Sequence, residues 1–207
     1  MLLLIVEDDN MKNLNTPTLK TERLILRRFE ESDLSSVFDI YSNKEVNKFL
    51  PWLPAKNITE AKLLLDDNYL KKYENKIGYD YAICLKENNI PIGYLKIAMN
   101  ESYDLGFGLL PNYWNKGIVT EAVKAIIGKA KIDGIPYLTA THDVGNPASG
   151  AVMIKSGMKY KYSYEEQWQP KDIKVVFRMY QINLSKEEDF VYNKYWNNAK
   201  VKMIEKI

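Results

Sequence analysis

Apolar residues change their period repeatedly along this chain, and each change predicts an element. Leu34, Val37, Phe38 and Tyr41 share one helical face, with Ser32 placed to cap it. Pro51 and Pro54 then break the pattern, and Asn57 or Thr59 caps a second helix reaching about Tyr73. Residues 80–86 and 92–99 read as strands around a turn at Asn88-Asn89, and residues 103–110 read as another strand. Val119, Ala122, Val123, Ile126, Ile127 and Ala130 fall at i, i+3, i+4, i+7, i+8 and i+11. That is one face of a helix, which Gly134 ends. Strand 137–142, a short helix at 148–156 closed by Gly157, and strands 158–164 and 174–184 follow. Phe190, Tyr195, Ala199 and Met203 suggest a terminal helix over 185–207. The expectation is a mixed α/β (α+β) domain at 17–184, in which a hairpin region precedes β-α-β units. Segments 1–16 and 185–207 read as extensions of it.

Composition narrows the classes. A chain of 207 residues, 46% hydrophobic, can bury one good core. A net charge of +2 argues against a nucleic-acid binder that works by neutralising phosphates. Cys84 is the single cysteine, so no internal disulfide or Cys-rich zinc site is expected, and no metal. Its place in an alternating strand reads as a buried structural thiol. The apolar start, Leu2 to Val6, is too short to span a membrane, and acidic residues follow it. The expectation is a cytoplasmic protein without membrane or nucleic-acid partners.

The chemistry concentrates in Tyr113-Trp114-Asn115-Lys116-Gly117-Ile118-Val119-Thr120-Glu121-Ala122, which joins strand 103–110 to the long helix. A strand that turns through glycine into a helix leaves the first helical N–H groups free, and these suit a phosphate anion. The loop lacks the Gly-Lys-Ser/Thr ending of a Walker loop and the Gly-x-Gly-x-x-Gly of a dinucleotide fingerprint.

Trp114 to Val119 resembles the Gln/Arg-x-x-Gly-x-Gly/Ala loop that holds the acyl-CoA pyrophosphate in GCN5-related N-acetyltransferases, the GNAT superfamily. Only the central Gly117 matches strictly. Other segments resemble the RimJ/RimL branch, the ribosomal-protein N-terminal acetyltransferases, and they come in the branch's order. They are Thr21-Glu22-Arg23-Leu24, Leu50-Pro51-Trp52, Pro91-Ile92-Gly93, Asp104-Leu105-Gly106-Phe107, Gly117 to Ala122, and Asn146-Pro147-Ala148-Ser149 with Lys155-Ser156-Gly157-Met158. The resemblance covers about residues 18 to 184. It implies a central twisted mixed sheet flanked by helices.

It also implies acetyl-CoA as co-substrate and an amine as acceptor. Amides of Asn115, Lys116, Gly117, Ile118, Val119 and Thr120 would hold the pyrophosphate. Leu109 and Leu110 would lie beside the pantetheine, with the Leu109 amide polarising the thioester carbonyl. Asn146 and Ser149 would contact the donor. The position of the usual acid tyrosine is Met153, and Ser149 stands in as the group near the sulfur. Asp104 and His142, the only histidine, are the candidate bases, and Glu165, Glu166 and Trp168 are placed as a rim or a plain loop. The leading acceptor is the α-amine of a ribosomal or other protein. Small amines such as polyamines or aminoglycosides, and a non-catalytic acyl-CoA-binding module, stay as alternatives. A homodimer is left open.

Overall fold

Two antiparallel sheets meet along one short parallel contact, and that contact positions everything else. The computed structural model describes residues 14–207. The first sheet runs β1 (Leu19–Lys20), β2 (Leu24–Arg27), β3 (Asp80–Leu85), β4 (Pro91–Ile97) and β5 (Leu105–Leu109), in that order. The second runs β6 (Tyr137–Asp143), β8 (Ile173–Asn183), β7 (Lys159–Trp168) and β9 (Lys202–Met203). Between them Asp104 and Thr139 form a single parallel bridge, with the Thr139 N–H donating to the Tyr103 carbonyl at 3.3 Å. Beyond the bridge β5 and β6 belong to separate sheets.

Helix α1 (Leu34–Ser42) and helix α2 (Ile58–Asn68) cover one face of the first sheet. Val37, Ile40, Tyr41, Ala61 and Leu65 pack there on Ala82, Cys84 and Tyr94. Helix α3 (Ile118–Ile132) covers the other face, burying Ala122, Val123, Ala125 and Ile126 against Leu24, Leu26, Ile83 and Leu95. Helix α4 (Pro147–Lys155) follows β6, and Met153 and Met158 join this second core. Burial pushes the Cys84 thiol up to about 12, as an inert structural thiol requires.

The local readings differ in three places. Ser32 lies inside a 3-10 turn at Glu31–Asp33, and a reciprocal capping box between Glu30 and Asp33 does the work expected of it. The second helix ends at Asn68, and a further 3-10 turn covers Leu70–Glu74; Asn57 is its cap, accepting from the Glu60 N–H at 3.0 Å. The terminal segment holds only a five-residue helix, α5 (Lys194–Asn198), before β9 pairs with β7. Its aromatic residues do not line up along one helix. Tyr195 stacks on Tyr164 at 5.4 Å, while Phe190 and Tyr192 pack on Tyr137. Thus 185–207 covers the second sheet as an irregular strap. Of the N-terminal extension, residues 1–13 lie outside the described residues. Asn15 and Thr16 are buried, and the Thr16 N–H donates to the Gly78 carbonyl at 2.8 Å. No described helix is long and apolar enough to cross a membrane.

Candidate functional site

The open edge of β5 supplies the first part of the site. The register pairs Ile92 with Leu110 and Ala98 with Asp104 through backbone bonds of 2.9 Å. Antiparallel bonding alternates, so Gly106 and Gly108 point their peptide groups at β4. Those of Leu105, Phe107 and Leu109 therefore point outward, along the gap between the two sheets. The Leu109 carbonyl is already taken by the Trp114 indole N–H at 2.7 Å. The Leu109 N–H points out on the same edge.

The loop after β5 supplies the second part. Asn115 and Gly117 both adopt left-handed backbone, at φ 58° and 73°. For Gly117 this conformation is cheap because no Cβ opposes it. The first helical bond of α3 is Glu121 N–H to the Gly117 carbonyl, and among the described residues no side chain caps the helix. The N–H groups of Ile118, Val119 and Thr120 are therefore unspent by the helix and aligned with its dipole. Glu121 would repel an anion here, but it is spoken for. It accepts from the Thr21 hydroxyl at 2.6 Å, the Arg23 N–H at 2.9 Å and the Arg23 Nε at 2.7 Å. Burial pushes its carboxyl up, and these donors outweigh it and hold it below the usual range. Arg23 also donates to the Lys116 carbonyl at 2.9 Å, with its guanidinium beside Gly117. Two sequence motifs about a hundred positions apart thus meet and fix this loop.

Glu121→Gln keeps the shape and removes the charge. It should cost about 1–3 kcal/mol near neutral pH, the worth of charge-assisted bonds. A carboxylate with a depressed folded pKa stabilises above its unfolded pKa and loses that stability as pH falls through the folded value. The gap in melting temperature between wild type and Glu121→Gln should therefore hold from pH 6 to 8 and close in acid. A gap that does not change with pH would show that the charge contributes nothing.

The third part is a cleft of about 260 Å³ between the sheets. Its lips are Phe49 to Trp52 from the loop after α1 and Trp168 from β7, with Phe177 of β8 behind them. Trp52 is pinned by its indole N–H to Asn47 Oδ1 at 2.9 Å, and Asn47 Nδ2 is itself spent on three backbone carbonyls. Lys171, in the β7–β8 turn, reaches the Asn47 carbonyl at 2.8 Å and ties the two lips together. Glu165 and Glu166 lie on a strand, β7, rather than in a loop. Glu165 pairs with Lys174 at 3.2 Å, and burial pushes the Glu166 carboxyl up.

Asp104 stands at the head of this cleft, at the bridge between the sheets. Removal from water pushes its carboxyl up to about 7, although the Thr139 hydroxyl, 3.3 Å away, and the Lys96 ammonium both favour the charged form. A carboxylate titrating near 7 is suited to taking a proton at physiological pH. His142 also lines the cleft. Its Nδ1 lies 2.8 Å from the Asp143 carbonyl, which assigns the proton to Nδ1. Its Nε2 is buried with no hydrogen-bond partner among the described residues and faces α4, where a Cβ on Gly150 would stand 2.6 Å away. Burial pushes the imidazole pKa down, so the ring is neutral. Asn146 caps α4, accepting from the Ser149 N–H at 3.4 Å and donating to Ser149 Oγ at 3.0 Å. Asn146, Ser149 and Met153 all line the cleft.

The structure therefore brings Asp104, His142, Asn146 and Ser149 to one cleft, with Leu109 on its adjoining edge and 115–120 in the loop beyond. Neither Lys96 nor Thr139 belongs to a motif in the sequence. A signal for Lys96 existed: Tyr94 and Lys96 alternate on one strand face opposite Gly106 and Gly108, whose missing side chains leave room for long ones.

A family model described as the acetyltransferase (GNAT) domain matches residues 23–159. The protein named "Uncharacterized N-acetyltransferase YoaA" of Bacillus subtilis (strain 168) is 24% identical over 148 residues, which are 69% of this chain and 83% of that one. An acetyltransferase (GNAT family) from Bacillus anthracis superposes with a TM-score of 0.71 at 23% identity, covering 82% of this chain and all of that one. The RimL ribosomal L7/L12 α-N-protein acetyltransferase in complex with coenzyme A superposes with a TM-score of 0.70 at 19% identity, covering 79% and 96%.

Proposed function

The chain belongs to the GNAT acetyltransferase family, and from that premise we propose that it acetylates the α-amine of a ribosomal or other protein N-terminus from acetyl-CoA, in the cytoplasm, as a member of the RimJ/RimL branch. The observation that carries the reading is a carboxyl poised near 7, at the head of a cleft whose adjoining strand edge offers a free amide. The branch is supported by the contact between Thr21, Arg23 and Glu121, which joins two of its motifs in space. An α-amine titrates near 7.7–8.0, so it is substantially neutral at physiological pH, and one moderate base suffices for it.

The residues fit the donor. The Ile118, Val119 and Thr120 N–H groups and the left-handed Gly117 form an anion cradle, with Arg23 beside it. The Leu109 N–H is placed to polarise a carbonyl laid along β5. Bound acetyl-CoA supplies an activated acetyl group, whose carbon–sulfur bond breaks as the carbon–nitrogen bond forms. Asp104 accepts, through bridging water, the proton that the attacking amine loses. Ser149 Oγ, held by Asn146, donates toward the departing sulfur. His142, neutral and facing α4, shapes the wall.

Ser149→Ala should lower kcat by about tenfold or more while the KM for acetyl-CoA moves little, the pattern of a group that acts in the transition state. An unchanged kcat would leave Ser149 as a first-turn residue of α4 only. The direct test of function is calorimetric titration with acetyl-CoA, followed by thiol release over an amine panel. Micromolar binding with release for N-terminal peptides supports the reading. Release only with polyamines or aminoglycosides moves the acceptor to small amines, and binding without release would leave an acyl-CoA-binding module.

A further inference from the structure

Lys96 lines the same cleft as Asp104, and its effect on that carboxyl leaves the ammonium's own contacts unexplained. It projects from β4 with its stem across Gly106, where a Cβ would lie 3.2 Å from its Cε. Its ammonium sits 5.5 Å from the centre of the Trp52 ring and lines the same cleft as Asp104. Among the described residues it makes neither a hydrogen bond nor an ion pair. Asp80, the other acid that feels it, is paired with Lys72 at 3.5 Å. Asp104 attracts it from beyond ion-pairing distance. Burial lowers its pKa, and Lys72 lowers it further. A half-buried cation facing an aromatic ring and open space is an incomplete site.

Lys96 is far from the donor's phosphates. It lies on the face of the first sheet that carries α1 and the Trp52 lip, whereas the phosphate loop leads into α3 on the opposite face. We propose that Lys96 is a specificity-determining residue that recognises an anionic group on the acceptor, a carboxylate or phosphate lying close to the amine that is acetylated. Asp104 then faces the amine and Lys96 the anion, so the cleft matches an acceptor that carries both charges. A polyamine, which has only cations, meets Lys96 as a repulsion. This inference deepens the acetyl-transfer reading and rests on it.

The test uses matched acceptors. One pair is a free α-amino acid and its carboxamide. The other is a peptide beginning Ser-Glu and its Ser-Gln counterpart. Each is assayed with the wild type, Lys96→Met and Lys96→Arg, and melting temperatures check that the variants fold. Wild type should prefer the anionic member of at least one pair by about tenfold or more, chiefly through acceptor KM, as a charge-assisted contact predicts. Lys96→Met should bring the preference to within about twofold without moving the acetyl-CoA KM, and Lys96→Arg should retain it. The pair that shows the preference tells whether the anion belongs to a free amino acid or to a protein N-terminus. Equal kcat/KM within both pairs in the wild type overturns the inference and leaves acetyl transfer intact. So does a preference that survives Lys96→Met. No thiol release with any acceptor removes the acetyl-transfer reading, and this inference with it.

Discussion

Asp104→Asn should lower kcat by about 100- to 10,000-fold, the usual contribution of a positioned base. Asparagine keeps the size and the Thr139 contact but cannot accept the proton. The pH profile carries more information than the rate. With a carboxyl at about 7, the wild-type rate should show a carboxylate limb below 7 added to the amine's own titration near 8. In Asp104→Asn that limb should vanish, leaving only the titration of the amine itself. Stability should move the other way. A carboxyl whose folded pKa is raised takes up a proton on folding, so it favours the folded state in acid and loses that stability as pH rises from about 4 to 7. Asp104→Asn escapes this loss. Its melting temperature should match the wild type near pH 4 and exceed it above pH 7. A slower but more stable enzyme cannot be explained by misfolding. If instead the variant keeps the wild-type limb, the base lies elsewhere, and His142→Gln becomes the next variant to profile.

Gly117→Val should raise the KM for acetyl-CoA by about 10- to 100-fold, as about 1–3 kcal/mol of strain moves the loop. The left-handed backbone at Gly117 is uncommon for any residue with a Cβ and a true outlier for a β-branched one. No atom forbids the side chain, because the nearest neighbour to an added Cβ is an Arg23 nitrogen at 3.6 Å. The cost is therefore backbone strain, relieved by turning the Ile118 and Val119 amides away from their common target. At saturating acetyl-CoA, kcat should stay within a few-fold of wild type, since Asp104 and Ser149 are untouched. Calorimetry on the free variant reads the same loss without turnover. Undiminished binding would remove this loop from the donor site.

The sequence made some of this legible and hid the rest. Helix α3 was plain because one uninterrupted apolar stripe runs from Val119 to Ala130, and nothing competes with it. Leu50-Pro51-Trp52 stood out as a family motif, and Glu165, Glu166 and Trp168 as a rim or a plain loop, but the meeting of the two segments across one cleft was not legible. That depends on a 2.8 Å bond from Lys171 to the Asn47 carbonyl, 124 positions away. For Lys96 the signal is faint, since Gly106 opposite it leaves room for a long side chain but alternation cannot distinguish a cleft from open water. The Trp114 contact with the Leu109 carbonyl was equally invisible, because backbone acceptors carry no sequence signature. The C-terminal segment misled for a physical reason. Spacings near four mimic a helix, yet these aromatic residues each find a separate ring partner on β6 and β7, and tertiary packing overrides the local pattern.

The single bridge between Asp104 and Thr139 is the point about which any spread of the two sheets would turn, as jaws turn about a pin. Displacement about a pin grows with distance from it. At about 3.3 Å per residue, the far end of β6 lies roughly 13 Å along the jaw, so a spread of about 10° carries it about 2 Å. The same spread leaves the carboxylate almost stationary. Such a spread would keep the proposed proton acceptor on its aim, while the Trp52 and Trp168 lips stay held to each other by the Lys171 bond to the Asn47 carbonyl.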